Sequence, residues 1–384
     1  MVLVMKILMD NVSFPDYITQ CRQSIETRRL DLSDERKSLI IDANSPFELH
    51  PRIKKRCGAL LIHGLLDSPF TLADLGHALS AEDILCKAVL LPGHGTRPDD
   101  LMAVAFQDWI ETVRYGINQL KKEAEKIYLV GYSTGAALSV YHAMNDPNIA
   151  GVILLAPAIR VKAPVDLVVG FHRLIKWHNR NPWIYQEEEN DYTKYRSVPF
   201  NAVHQVSSLT DVLSELQQQR PLQCPIFMAM SREDETISSH SALDFFCNTH
   251  HPKSKLLLYT SFDHRYPDKR IITRETRYPD LQIKHFSHIC IPFAVKNPHY
   301  GLGGDYHFAP RQDDKTFIYG AYNPIEVRFL NYLHRFGLIK HQRQTLSFNP
   351  DFKQMAENIV EFIFENSLPQ QISSYANLKR KQSR

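Results

Sequence analysis

The sequence predicts an α/β fold: a mostly parallel central sheet flanked by helices, with a lid or cap insertion. Three observations predict it. Short apolar runs of strand length alternate with helical segments between Ala59 and Leu155. One run, Ile127-Tyr128-Leu129-Val130, leads directly into Gly131-Tyr132-Ser133-Thr134-Gly135 and then a helix. The alternation stops at Ala156-Pro157 and resumes at Ile226.

Taken in order, residues 12–30 read as a helix, with Tyr17, Ile18, Cys21 and Ile25 at helical spacing. Leu39-Ile40-Ile41 reads as a short edge strand. Ala59-Leu60-Leu61-Ile62 is continuously apolar, as a strand covered on both faces should be. A helix is expected over 69–80, where Pro69 suits a first turn. A strand follows over 84–91, stopped by Pro92-Gly93. Over 106–125, Trp109, Ile110, Val113, Ile117 and Leu120 share one helical face. Strand 127–131, helix 134–145 and strand 151–155 complete a β-α-β-α succession, which implies a parallel sheet with helices on both sides.

Residues 158–222 carry no strong strand, and an insertion there can cap the carboxyl edge of the sheet. The rhythm returns with strand 226–230, helix 239–249 and strand 255–259. Residues 261–282 are polar and strand-poor and read as a smaller insertion, before an apolar strand-like segment at Leu281-Gln282-Ile283. A helix over 351–365 closes the fold. The expected organisation is a helical extension over 1–45, a core of 46–157 and 223–384 interrupted near 261–282, and a lid over 158–222.

Composition narrows the class. The chain has 384 residues, 43% of them hydrophobic and 23% charged, and a formal charge of +3. That charge is too small to argue for nucleic acid as a partner. The basic clusters Arg52-Ile53-Lys54-Lys55-Arg56 and Lys379-Arg380-Lys381 read as a solvated linker and a tail. Cys21, Cys57, Cys86, Cys224, Cys247 and Cys290 show no metal-like spacing, so reduced thiols and a cytoplasmic setting are expected. The start of the chain lacks a small-residue cleavage site, and no apolar run approaches bilayer length.

The chemistry centres on Ser133. A strand, a tight turn and a helix lift its hydroxyl to the tip of the turn, at a helix N-terminus. Serine is a poor nucleophile at neutral pH and needs a histidine base oriented by a carboxylate. In the α/β-hydrolase order, which this strand-turn-helix setting of the serine resembles, the acid follows the serine in the chain and the histidine follows the acid. Asp234, in Ser231-Arg232-Glu233-Asp234-Glu235 after strand 226–230, is the acid expected, with Glu235 and Glu233 of the same cluster as the alternatives. Two histidines compete as base: His264, just after strand 255–259, and His288, in His285-Phe286-Ser287-His288-Ile289. Spacing slightly favours His264. Oxyanion donors are expected from the backbone amides of Thr134 and Leu65, the latter in Ile62-His63-Gly64-Leu65-Leu66-Asp67-Ser68-Pro69. His63 reads as a strand-end residue that pins this loop.

The set "LLIHGLLDSP", "LLPGHGTRPDDL", "YLVGYSTGAAL" and "SREDETIS" resembles the α/β-hydrolase superfamily, in particular bacterial carboxylesterases and monoacylglycerol-lipase-like enzymes. The resemblance covers roughly residues 46–300. It implies a nucleophile at Ser133, an acid at Asp234 and oxyanion donors at Leu65 and Thr134. "FSHICIPFAVKNPHYG" resembles a Ser-His-containing motif of longer bacterial members, which moves the preference for the base to His288 over His264.

The expected activity is serine carboxylic-ester hydrolysis through an acyl-enzyme, with no metal or organic cofactor. A thioesterase or amidase needs the same machinery, and a catalytically silent binding protein is the reading from another class. Phe171, Leu174, Trp177, Trp183, Tyr185, Tyr192 and Tyr195 either line an acyl pocket or form the small core of the lid itself. The expected partner is a small acyl ester of medium or long chain, with transient lipid contact and no transmembrane segment.

Overall fold

The computed structural model describes residues 12–52, 56–160, 182–311 and 315–367. The expected start-of-chain and tail features, and Phe171, Leu174 and Trp177, lie outside these ranges. The chain opens with α1 (Phe14–Arg28), capped by Ser13, which buries Phe14, Tyr17, Cys21 and Ile25. It continues through α2 (Lys37–Asn44) and β1 (Phe47–Leu49). Next come β2 (Cys57–Ile62), α3 (Ala73–Ala81) and β3 (Leu85–Val89). Then follow α4 (Phe106–Lys121), β4 (Lys126–Tyr132), α5 (Thr134–Asn145) and β5 (Ile149–Leu155).

Past β5 the described chain forms a two-stranded antiparallel pair, β6 (Trp183–Tyr185) and β7 (Val198–Pro199), and then the long helix α6 (Phe200–Gln219). The sheet resumes with β8 (Ile226–Ser231), α7 (Ser239–Cys247), β9 (Lys255–Thr260) and β10 (Ile271–Glu275). Last come β11 (Phe317–Gly320), α8 (Pro324–Arg335), β12 (Gln342–Thr345) and α9 (Phe352–Ser367).

Eight strands form one sheet in the order β1-β3-β2-β4-β5-β8-β9-β10, parallel throughout except for the antiparallel edge pair of β1 with β3. Alternation along the strands divides the core into two layers. Leu60, Ile62, Leu129 and Leu154 face one layer, with α1, α4, α5, α6 and α7 upon it. Ala59, Leu61, Val130 and Ile153 face the other, closed by α3 and by Met355, Ile359, Phe362 and Ile363 of α9.

Three expectations are corrected. Residues 39–41 are not a strand but the middle of α2. There Ile40 packs with Ala43 and Tyr192 while Ile41 joins the main core. Neighbouring apolar residues can serve two separate partners on a helix, and the Asn44 side chain locks the turn by donating to the carbonyls of Ile40 and Tyr192. Residues 261–282 are not strand-poor, because they contain β10, the parallel edge partner of β9. Beyond Ile271 its side chains are exposed, so it lacks the apolar signature of the inner strands. Leu281-Gln282-Ile283 is no strand either. A 3₁₀ turn over Pro279–Leu281 ends at Gln282 in the left-handed region, and Ile283 makes only isolated bridges, to Tyr278 and Tyr319. Sequence patterning also passed over α6, which buries Ala202, Val206, Leu209 and Leu213 in the main core beside α5.

Candidate active site

The turn between β4 and α5 is held by close backbone packing. A Cβ on Gly131 would come 2.2 Å from the Gly135 carbonyl oxygen, and one on Gly135 would come 2.0 Å from that of Ile62 at the end of β2. Only glycine lets these backbones touch. The strain falls on Ser133, whose φ of 52° lies in the left-handed region. Its backbone is pinned on both sides: its N–H donates to Leu155 and its carbonyl accepts from Ala136 and Ala158.

Three residues meet at this turn. The Ser133 hydroxyl lies 3.1 Å from His288 Nε2. His288 Nδ1 lies 2.8 Å from Asp234 Oδ2. The other Asp234 oxygen accepts the amides of Thr236 and Ile237, each at 2.8 Å, so the carboxylate cannot rotate away. With Nδ1–H donated to Asp234, Nε2 is left as the acceptor for the serine proton.

His288 reaches the site from an irregular loop beyond the last sheet strand. That loop is anchored where Ser231 Oγ donates to the Phe286 carbonyl, where Ser287 Oγ donates to Leu346, and where Phe286 packs on Tyr259. The Tyr132 hydroxyl also reaches the His288 carbonyl at 3.4 Å. His264, by contrast, is exposed after β9 with its ring against Tyr266, while the imidazole of His288 bridges Asp234 and Ser133.

Burial disfavours a charged His288, but the carboxylates of Asp234, Glu235 and Asp67 outweigh it and raise the imidazole above its ordinary value. Glu235 accepts the His288 backbone N–H at 3.0 Å. Burial and the adjacent Asp234 push its own carboxyl up to about 7. Glu233 points elsewhere and clamps the end of β9 by accepting the Ser261 amide and hydroxyl, each at 2.7 Å.

Two neutral histidines shape the loop that faces Ser133. His63 accepts the Leu91 amide on Nε2 and therefore donates Nδ1–H to Gly64. Burial and the nearby His94 hold it well below its ordinary value. His94 accepts the Leu66 amide, and burial lowers its imidazole to about 4. The pinning expected of His63 is thus shared with His94. The loop lies so close that a Cβ on Gly64 would stand 3.1 Å from the Ser133 Cβ. Among the described residues neither the Leu65 nor the Thr134 amide donates a hydrogen bond. Asp67, in the same loop, was not singled out in the sequence. Burial raises its carboxyl to about 6 against the opposing pull of Lys194 and His288.

The segment before β7 covers this loop: the Tyr195 amide donates to Leu66, and the Tyr195 hydroxyl bonds Thr96 and Gly93. Tyr192 and Tyr195 are buried against the body of the protein, whereas Tyr185 is exposed. A buried cluster ties the segment down. Asp191 bonds His299 Nε2 at 3.1 Å and the Tyr300 hydroxyl at 2.5 Å, and the other His299 nitrogen meets Asp305.

A family model described as serine aminopeptidase, S33, matches residues 54–267, more than half of the chain. A thermostable monoacylglycerol lipase of Bacillus sp. strain H-257 is 25% identical over 186 residues, spanning 48% of this chain and 73% of that protein. A carboxylesterase of Bacillus subtilis is likewise 25% identical over 189 residues, 48% of this chain and 74% of its own. Among solved structures, one described with the metagenome-derived lipolytic enzymes LipS and LipT superposes with a TM-score of 0.50 at 22% identity. It covers 56% of this chain and 86% of its own and shares the fold.

Proposed function

Since the chain belongs to the serine aminopeptidase S33 family of α/β-hydrolases, we propose that it is a serine carboxylic-ester hydrolase of carboxylesterase or acylglycerol-lipase type. The observation that carries this reading is the 3.1 Å approach of the Ser133 hydroxyl to His288 Nε2, with Asp234 behind it. Ser133 Oγ attacks the acyl carbonyl carbon as its proton passes to His288 Nε2. The resulting oxyanion is received by the Leu65 and Thr134 amides. Collapse breaks the bond to the leaving alkoxide, which takes the proton back from Nε2 and departs as the alcohol. Water then adds to the acyl-enzyme by the same proton route and releases the acid. Asp234 holds the imidazole in the required tautomer and stabilises its cation.

The two Bacillus relatives support ester over amide chemistry, because both are named for ester or acylglycerol substrates. In this reading residues 182–199, the part of the expected 158–222 insertion that precedes α6, act as a lid over an acyl site that favours medium or long chains. The test pairs a fluorophosphonate probe with a p-nitrophenyl ester series. Wild type should label and Ser133→Ala should not, and medium-chain esters should be cleaved faster than acetate. Labelling of both proteins, or of neither, defeats the assignment of Ser133; preference for acetate defeats the chain-length reading.

A further inference from the structure

The chain beyond the family match carries a small β-α-β unit, in which β11 and β12 pair in parallel and α8 connects them. Its helix is strongly specified by local sequence. Asn323 caps the N-terminus by accepting the Ile325 and Glu326 amides, and Glu326 returns the bond to the Asn323 amide. Pro324 occupies the first helical position, and Gly337, at φ +70°, ends the helix.

A helix this well capped should bury its apolar face, yet α8 turns that face outward. Ile325, Phe329, Tyr332 and Phe336 fall within about 60° of one another around the helix axis, and they are 79%, 60%, 57% and 63% exposed. Leu338 extends the stripe past Gly337. Half of the ten most exposed large hydrophobic side chains of the described residues thus lie within this one short stretch, which is clustering rather than ordinary scatter. The stripe has a basic border. Over residues 315–343 the chain carries Lys315, Arg328, Arg335, Lys340 and Arg343 against the single carboxylate of Glu326. Arg328 and Arg335 flank the stripe on one side, and both are exposed.

We propose that the exposed face of α8 is a docking surface for an anionic phospholipid membrane. Aromatic and aliphatic side chains enter the headgroup–acyl boundary while Arg335 and Lys340 meet lipid phosphates, as in helices that lie along an interface. Among the described residues no helix is long and apolar enough to cross a membrane. The unit is bonded to the loop that carries His288: Lys284 donates its amide to Tyr319, and Ala321 donates to His285 Nδ1. Arg328 also pairs with Glu187 in the segment before β7. Docking therefore holds the lipid surface next to the candidate active site. Only that delivery role rests on the proposed esterase activity; the binding does not.

The test uses the full chain and sedimentation with vesicles of phosphatidylcholine, with and without phosphatidylglycerol. Wild type and Ser133→Ala should bind the anionic vesicles equally, and added salt should weaken the binding. The double variant Phe329→Ser/Phe336→Ser should lose about tenfold or more in vesicle affinity, since each ring forfeits its burial in the interface. Arg335→Glu/Lys340→Glu should lose roughly as much on anionic vesicles alone. Both variants should keep wild-type hydrolysis of a water-soluble ester and an unchanged thermal midpoint. Equal vesicle binding by wild type and the Phe double variant overturns the proposal. So does a wild-type dimer that this variant converts to monomers while neither binds vesicles. Loss of Ser133 labelling with vesicle binding intact would sink the esterase reading and leave the docking surface standing.

Discussion

Adding one methyl group at Gly135 tests whether the site works by the positioning of Ser133. The new Cβ would stand 2.0 Å from the Ile62 oxygen, 2.6 Å from that of His63 and 2.7 Å from the Ile62 carbonyl carbon. These are backbone atoms at the end of a central strand, so no rotamer change relieves the clash. Contacts under 3.0 Å are essentially never found for real Cβ atoms. The N-terminus of α5 must therefore withdraw from β2 by about 1 Å or more, carrying Ser133 with it. That displacement lengthens the 3.1 Å reach to His288 and opens the gap between Thr134 and Leu65. Misplacement on this scale costs about 10²-fold in rate, while overpacking costs about 1–3 kcal/mol of stability. Gly303→Ala is the control, because nothing lies within 4 Å of its added Cβ, although its φ of +75° strains the backbone. We expect kcat/KM on a soluble p-nitrophenyl ester to fall about 100-fold in Gly135→Ala and to stay near wild type in Gly303→Ala, both measured on protein shown to be folded by circular dichroism. A folded Gly135→Ala enzyme within threefold of wild type would refute the positioning argument.

Asp234→Asn should lower kcat by about 10³–10⁴, by freeing the imidazole to take the wrong tautomer, whereas His264→Ala should leave kcat within twofold; a large loss in the latter would reinstate His264 as the base. Glu235→Gln keeps an oxygen for the His288 amide but removes a carboxyl, itself raised to about 7, whose ionised form favours the imidazolium. The base must be neutral to act, so lowering its pKa should move the acid limb of the kcat/KM–pH profile to lower pH; an unmoved limb would show that Glu235 does not tune the base. Burial alone would raise the Asp191 carboxyl, but His299, Lys194 and Tyr300 outweigh it and hold it down to about 2. A depressed carboxylate stabilises the fold above its unfolded value near 4, and that contribution is lost as pH falls toward 2. Asp191→Asn should therefore lower the thermal midpoint at pH 6 by an amount worth about 2 kcal/mol, and the difference from wild type should shrink on acidification.

The parts of the molecule legible in sequence are those whose chemistry is local. Inner strands such as β2 are apolar throughout because both faces are covered, and the Ser133 turn is written in five consecutive residues. What escaped depends on distant neighbours. β10 is polar because it sits at an edge, so only its pairing with β9 identifies it as a strand. The Ile40-Ile41 pair has strand-like composition, and part of what holds the helix there, the Asn44 bond to Tyr192 and the packing of Ile40 on it, comes from far along the chain. The choice between His264 and His288 has the same origin. Spacing favoured His264 on the premise that the base follows the strand after the acid directly. In the structure β10 intervenes, and the loop of His288 is brought back to Ser133 through Ser231 and through Leu346, which precedes the last helix. No periodicity in the stretch around His288 could reveal those anchors. The same dependence makes Asp67 and Glu235 less legible in the sequence than Asp234. Three carboxylates act on one imidazole, but chain order implies only an acid from the Glu233-Asp234-Glu235 cluster and says nothing of Asp67. Their joint effect, an imidazole raised above its ordinary value although buried, comes from the Asp234-Glu235 loop and the Asp67 loop converging on the loop of His288. Of these loops, the one carrying Asp67 is held by the segment before β7, whose Tyr195 amide donates to Leu66 and whose Asp191 is bonded to His299 and Tyr300.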